Sequence, residues 1–190
     1  MILNNINQLI EELKSGRYKI IGIHGAPFAG KSTLAKSLNE VFGGALVQID
    51  NFVSMQPKGR YPDYIDIDKL SQAILSQKES SPIIFIEGIC LLEILKKISI
   101  KPETTIYVKN QYVTDKLNYD IDDEALEEKL KDIASILRFV PNSDGECLDK
   151  DNAIYHNRYK PVQNSSFVYI WESSDFPEKT KPFIFSQKMG

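Results

Sequence analysis

Apolar positions along the chain fall into two rhythms, and the alternation between them predicts the fold. Ile2, Leu3, Ile6, Leu9, Ile10 and Leu13 recur at helical spacing with Gly16 as a stop, so an amphipathic helix is expected first. Residues 18–24 are short and rich in β-branched and aromatic side chains, as a strand buried in a parallel sheet requires. Leu34, Leu38, Val41 and Phe42 return to helical spacing over 32–42, and Gly43-Gly44 ends that helix. Strands follow at 45–49, 82–86 and 104–108, with helices at 67–77 and 91–98 between them. A further helix is expected from 122 to about 139, because Asp122-Asp123-Glu124 suits the positive end of a helix dipole and Leu126, Leu130, Ile133 and Leu137 follow in phase. Residues 141–145 read as a turn-rich break, 153–159 as a short helix and 166–171 as a last strand. Strands alternating with helices predict an α/β fold, a mostly parallel sheet in a three-layer α/β/α arrangement. Residues 1–171 read as one domain with an N-terminal helix, and 172–190 as a polar, proline-containing tail.

Composition narrows the classes of function. A net charge of −3 over 190 residues leaves no basic surface for nucleic acid or an anionic membrane. Cys90 and Cys147 stand far apart, outside any metal-ligand spacing, which argues against a disulfide framework or a zinc site and suits a reducing compartment. Asn4, Asn5, Asn7, Gln8, Glu11 and Glu12 interrupt the first residues, so no signal-peptide core is seen. No apolar run is long enough to cross a bilayer, and a cytoplasmic location is expected.

The chemistry concentrates in Gly25-Ala26-Pro27-Phe28-Ala29-Gly30-Lys31-Ser32, followed by Thr33, which fits the phosphate-loop pattern G-x-x-x-x-G-K-[ST] between a strand and a helix. Glycines there let backbone N–H groups approach phosphate oxygens, and the following helix offers its positive end. Lys31 would reach the β- and γ-phosphates of ATP or GTP, and the Ser32 hydroxyl would hold Mg²⁺. Asp50 and Glu87 close the next two parallel strands, and ligands of open α/β sheets sit at such strand ends. Glu87 is expected opposite Ser32 on the metal, and Asp50 near the γ-phosphate as acceptor of a hydroxyl proton.

The phosphate loop through Thr33, the stretches 48–52 and 61–66, and Ile84-Phe85-Ile86-Glu87-Gly88 together resemble the uridine kinase and phosphoribulokinase superfamily of P-loop kinases. Tyr155-His156-Asn157-Arg158-Tyr159-Lys160-Pro161 is similar to a segment near the end of some of those proteins. The resemblance implies transfer of the γ-phosphate of ATP or GTP, with Mg²⁺, to a hydroxyl of a small, nucleoside-like molecule. It implies Asp50 as base, Lys31 as phosphate clamp, Ser32 and Glu87 as metal positions, and Tyr61, Tyr64 and Asp66 in the acceptor pocket. Residues 108–123 carry Lys109 and Lys116 but none of the arginines usual in the family's lid, and Arg60 stands where the family often has an acid. Arg138, His156, Arg158 and Lys160 are the candidates to replace the lid charge, with His156 and Arg158 placed at the substrate. A kinase of another sugar or vitamin-precursor alcohol, or a non-catalytic nucleotide-binding regulator, are the alternatives, and a homo-oligomer is compatible with the chain. A guanine-reading Asn/Thr-Lys-x-Asp element is absent, which opposes a GTPase switch.

Overall fold

The two rhythms resolve into strands that all run the same way. The computed structural model describes residues 1–54, 59–110 and 148–171, and the helix expected over 122–139, the break at 141–145 and the tail at 172–190 lie outside them. Six strands, β1 (Ile2–Leu3), β2 (Ile20–His24), β3 (Ala45–Gln48), β4 (Ile84–Glu87), β5 (Thr104–Asn110) and β6 (Phe167–Trp171), form one sheet in the order β1-β6-β5-β2-β4-β3. Every neighbouring pair is parallel. The described helices are α1 (Ile6–Gly16), α2 (Lys31–Phe42), α3 (Ile67–Ser80), α4 (Leu91–Lys97), α5 (Leu148–Tyr159) and α6 (Pro161–Asn164).

Alternate residues of each strand point to opposite faces, so two cores form from one sheet. Ile21, Ile23, Phe85, Ile106 and Val108 pack under Leu9 and Leu13 of α1 and Leu34 and Leu38 of α2. Ile20, Val47, Ile84 and Ile86 pack under Leu70 and Ile74 of α3, Leu91 and Ile94 of α4, and Tyr155 of α5. Burial on both faces explains why β2 and β4 are nearly uninterrupted apolar runs, with all nine of their residues buried.

The structure corrects the sequence reading at the start of the chain. Ile2 and Leu3 are not the first turn of a helix but a parallel edge strand, in register with Val168 and Tyr169. The physical reason is Asn5, whose extended backbone (φ −121°, ψ 124°) halts the helix while its side chain accepts from the Asn7 and Gln8 amides at 2.8 and 3.4 Å. At the other end, Gly16 is the last helical residue and Arg17 takes the left-handed conformation, φ 51°. Further along, β2 begins at Ile20 rather than 18, α5 begins at Leu148 rather than 153, and α6 was not anticipated.

The irregular stretch between β3 and α3 is closed at its neck. Val53 bridges Ile65 in antiparallel fashion, the Ser54 amide donates to Tyr64 O at 2.7 Å, and the Asp66 amide donates to Phe52 O at 2.8 Å. Short 3₁₀ turns at Ile49–Phe52 and Tyr61–Asp63 sit on either side of that neck.

Asn5→Ala should destabilise the protein by about 1 kcal/mol, the usual worth of an N-cap side chain. Urea denaturation followed by circular dichroism measures it, and an unchanged midpoint would place the helix start elsewhere.

Candidate active site

The chain leaves β2 at His24 and turns at once under β5. A Cβ on Gly25 would lie 2.3 Å from the Val108 carbonyl oxygen, so only glycine lets the loop start there. Gly30, at φ 90°, is the residue before α2, and the first turn of that helix is Lys31-Ser32-Thr33, where amide N–H groups have no intrahelical acceptor. Lys31 is 8% exposed and its ammonium donates back to the Ala26 carbonyl at 2.8 Å. Burial pulls its pKa below the ordinary lysine range, opposed by the nearby carboxylates of Glu87 and Asp50. Ala29 closes the loop by donating its amide to Ala26 O at 3.2 Å. Phe28 holds a left-handed backbone (φ 62°) and stands largely exposed at the rim.

Two neighbouring strand ends face this loop. Glu87, the last residue of β4, is buried, and its Oε1 accepts from Ser32 Oγ and from Gln48 Nε2 of β3, each at 2.8 Å. Asp50 lies two residues beyond β3, in the 3₁₀ turn, and accepts a hydrogen bond from the Tyr61 phenol. A cleft of about 510 Å³ joins these groups, lined by Phe28, Gly30, Lys31, Ser32, Thr33, Asp50, Val53, Tyr61, Glu87 and Ile89 together with Pro27.

Other residues singled out in the sequence lie elsewhere. Tyr64 donates its phenol to Gly59 O at 2.5 Å, and Asp66 caps α3 by accepting from the Lys69 amide at 3.1 Å while pairing with its ammonium at 2.9 Å. His156 is buried against Tyr107, with its Nε2 3.3 Å from the phenol oxygen, and Arg158 is exposed on the last turn of α5. None of these four lines the cleft. Arg138, Lys116 and the rest of 111–147 lie outside the described residues.

No protein-family model and no curated protein matches the sequence. Solved structures do. A possible uridine kinase from Bacillus stearothermophilus superposes with a TM-score of 0.54 at 14% identity, over 86% of this chain and 96% of that one. A candidate fructose transport system kinase from Silicibacter sp. TM1040 gives a TM-score of 0.46 at 15% identity, over 87% of this chain and 98% of that one. The likeness is one of fold: the mostly parallel α/β sheet of this chain is shared with the possible uridine kinase.

Whether the cleft suits a metal ion depends on the donors present. Ser32 Oγ and Glu87 Oε1 are adjacent hard oxygens, the sort of pair that holds Mg²⁺ when phosphate oxygens and water supply the other ligands. Among the described residues no group of three or more His, Cys, Asp or Glu side chains could hold an ion unaided. The donor set therefore fits a cation that arrives with its phosphates. Among the described residues, no helix is long and apolar enough to cross a membrane.

Two features escaped the sequence reading. The first is His24, fully buried behind the loop, with Nδ1 2.7 Å from the Tyr155 phenol and Nε2 2.7 Å from Ser165 Oγ. Ser165 gives its own proton to Pro161 O at 2.6 Å, so His24 Nε2–H donates to Ser165 and Nδ1 accepts from Tyr155. Desolvation, helped by His156 and Lys31, lowers the His24 pKa to about 3. The second is the pair of partners held by Arg60, whose guanidinium forks onto Glu93 of α4 at 2.7 and 3.1 Å and reaches Asp151 of α5 at 3.0 Å. Nothing in the local pattern signals either, because the side-chain partners of the His24 ring and the Arg60 guanidinium lie at least 33 residues away.

Lys31→Ala should abolish measurable MgATP binding in isothermal titration calorimetry, since it removes the one cation lining the cleft among the described residues. His24 also makes an acid-stability prediction. Its folded pKa lies below the unfolded value of 6.5, so the unfolded chain takes up a proton that the folded chain refuses. Its contribution is complete above that unfolded value and is lost as pH falls toward about 3, at up to about 1.4 kcal/mol per pH unit. Denaturation midpoints of wild type should fall more steeply between neutral and mildly acid pH than those of His24→Asn, and parallel lines would refute the buried neutral imidazole.

Proposed function

We propose that the protein is a phosphotransferase that moves the γ-phosphoryl group of ATP or GTP to a hydroxyl of a small, nucleoside-like acceptor. The observation that carries this reading is the convergence of Lys31, Ser32, Asp50 and Glu87 on one cleft at the carboxyl edge of a parallel sheet. Lys31 and the first turn of α2 hold the β- and γ-phosphates. Ser32 and Glu87 would hold Mg²⁺, which would supply neutralisation of phosphate charge. Asp50 takes the proton from the acceptor hydroxyl as that oxygen bonds to the γ-phosphorus and the bond to the β–γ bridging oxygen breaks. Phe28 and Tyr61 offer aromatic surface at the same cleft, on which a base or sugar can stack.

A sugar or vitamin-precursor alcohol as acceptor keeps the same chemistry with a different occupant. One sequence feature favours a regulatory, non-catalytic nucleotide binder instead: residues 108–123 contain no arginine to complete a lid. A screen of nucleosides, sugars and pantothenate-like alcohols with MgATP and MgGTP separates these readings, since the regulator binds nucleotide and makes no phosphorylated product. In the catalytic case, Asp50→Asn should cut turnover by about 10²-fold or more, the typical worth of a general base, while nucleotide affinity stays within about twofold. Unchanged turnover would remove Asp50 from the reaction.

A further inference from the structure

Asp151 of α5 is 1% exposed, and both of its carboxylate oxygens are committed to consecutive residues of one segment. Oδ1 accepts from Arg60 Nε at 3.0 Å, and Oδ2 accepts from the Tyr61 backbone amide at 2.7 Å. Arg60 is held from its other side by Glu93, so α4 and α5 grip the start of the Tyr61–Asp63 turn between them. A carboxylate this deeply buried is costly unless fully paired, and here the pairing fixes a single point of backbone. That point is the residue whose phenol donates to Asp50 in the cleft.

The neck of the 51–66 stretch does not need this clamp. It is already closed by the Val53–Ile65 bridge and two backbone hydrogen bonds, and Lys97 of α4 separately binds Pro62 O and Asp63 Oδ1, each at 2.7 Å. What Asp151 adds is the placement of Tyr61 itself.

We infer that Asp151 is a positioning residue for phosphoryl transfer: with Arg60 it fixes the Tyr61 backbone, and Tyr61 in turn fixes the Asp50 carboxylate. The inference rests on the reading of Asp50 as the base. It assigns a role to the arginine that departs from the family pattern, which serves the site from behind rather than by touching phosphate.

The full chain labelled with 3-fluorotyrosine tests it by fluorine NMR. The Tyr61 resonance is identified by its loss in Tyr61→Phe, and Asp50→Ala supplies its position when the phenol has lost its carboxylate partner. Asp151→Asn should move the resonance toward that position and lower kcat about tenfold across a panel of uridine, fructose and pantothenate, with MgATP affinity within about twofold. The double variant with Tyr61→Phe should turn over no more slowly than Tyr61→Phe alone, whereas a merely structural role would add a second loss. If Asp151→Asn melts early, Arg60→Gln carries the same expectation. An unmoved resonance and unchanged kcat, in a wild-type chain that does phosphorylate an acceptor, overturns the positioning role alone. A wild-type chain that binds MgATP but phosphorylates nothing in the panel overturns the phosphotransfer reading and this role with it.

Discussion

One ammonium and two carboxylates meet at the carboxyl edge of the sheet, and the site depends on the contacts that keep them there. Lys31 and Glu87 are both buried, and a buried charge without partners costs several kcal/mol in order of magnitude. Neither is alone. Lys31 is bonded to the Ala26 carbonyl and lies in the field of Glu87 and Asp50, while Glu87 gathers donors from Ser32 and Gln48. These groups come from the ends of three strands, so only a parallel order that sets β4 between β2 and β3 brings them together. The right-handed crossovers of such a sheet return every chain over a face and release every strand at the same edge.

Local signals made much of this legible before any coordinates. The loop from Gly25 to Ser32 is legible because its constraints are local: glycine where a Cβ would strike Val108, a lysine and a serine on the first turn of a helix. Asp50 and Glu87 were visible because each directly follows or ends an apolar run. Ile2 and Leu3 were misread because two adjacent apolar residues fit the first turn of an amphipathic helix as well as a two-residue edge strand, and only Asn5 decides between them. Tyr64 and Asp66 show the opposite limit. Their residue types suit a binding pocket, yet a phenol can as well close its own turn and an aspartate can as well cap a helix. The Arg60–Glu93–Asp151 cluster was illegible for a plainer reason, since its members share no periodicity and meet only through the packing of α4 and α5.

Likeness to known structures explains the scaffold and stops there. At 14% identity over 86% of the chain, what the likeness shows is the fold, a parallel sheet covered on two faces. The contacts around the cleft belong to particular side chains of this sequence. Arg60 illustrates the point: an acid at its position could not bind Glu93 and Asp151 together, and the buried Asp151 and half-buried Glu93 would then stand beside a third carboxylate.

Neutrality matters in the cleft as much as charge does. His24 directly precedes Gly25, and protonated it would place a second cation behind the phosphate loop, but burial against Tyr155 and Ser165 keeps it neutral. The Tyr61 phenol likewise stays protonated, because burial and the adjacent Asp50 carboxylate push its pKa up. Among the described lining residues, one ammonium therefore faces two carboxylates. A bare polyphosphate entering such a cleft meets repulsion at Asp50 and Glu87 that Lys31 alone does not cancel. Under the proposed function, a divalent cation held by the Ser32–Glu87 pair would offset that repulsion as the nucleotide binds.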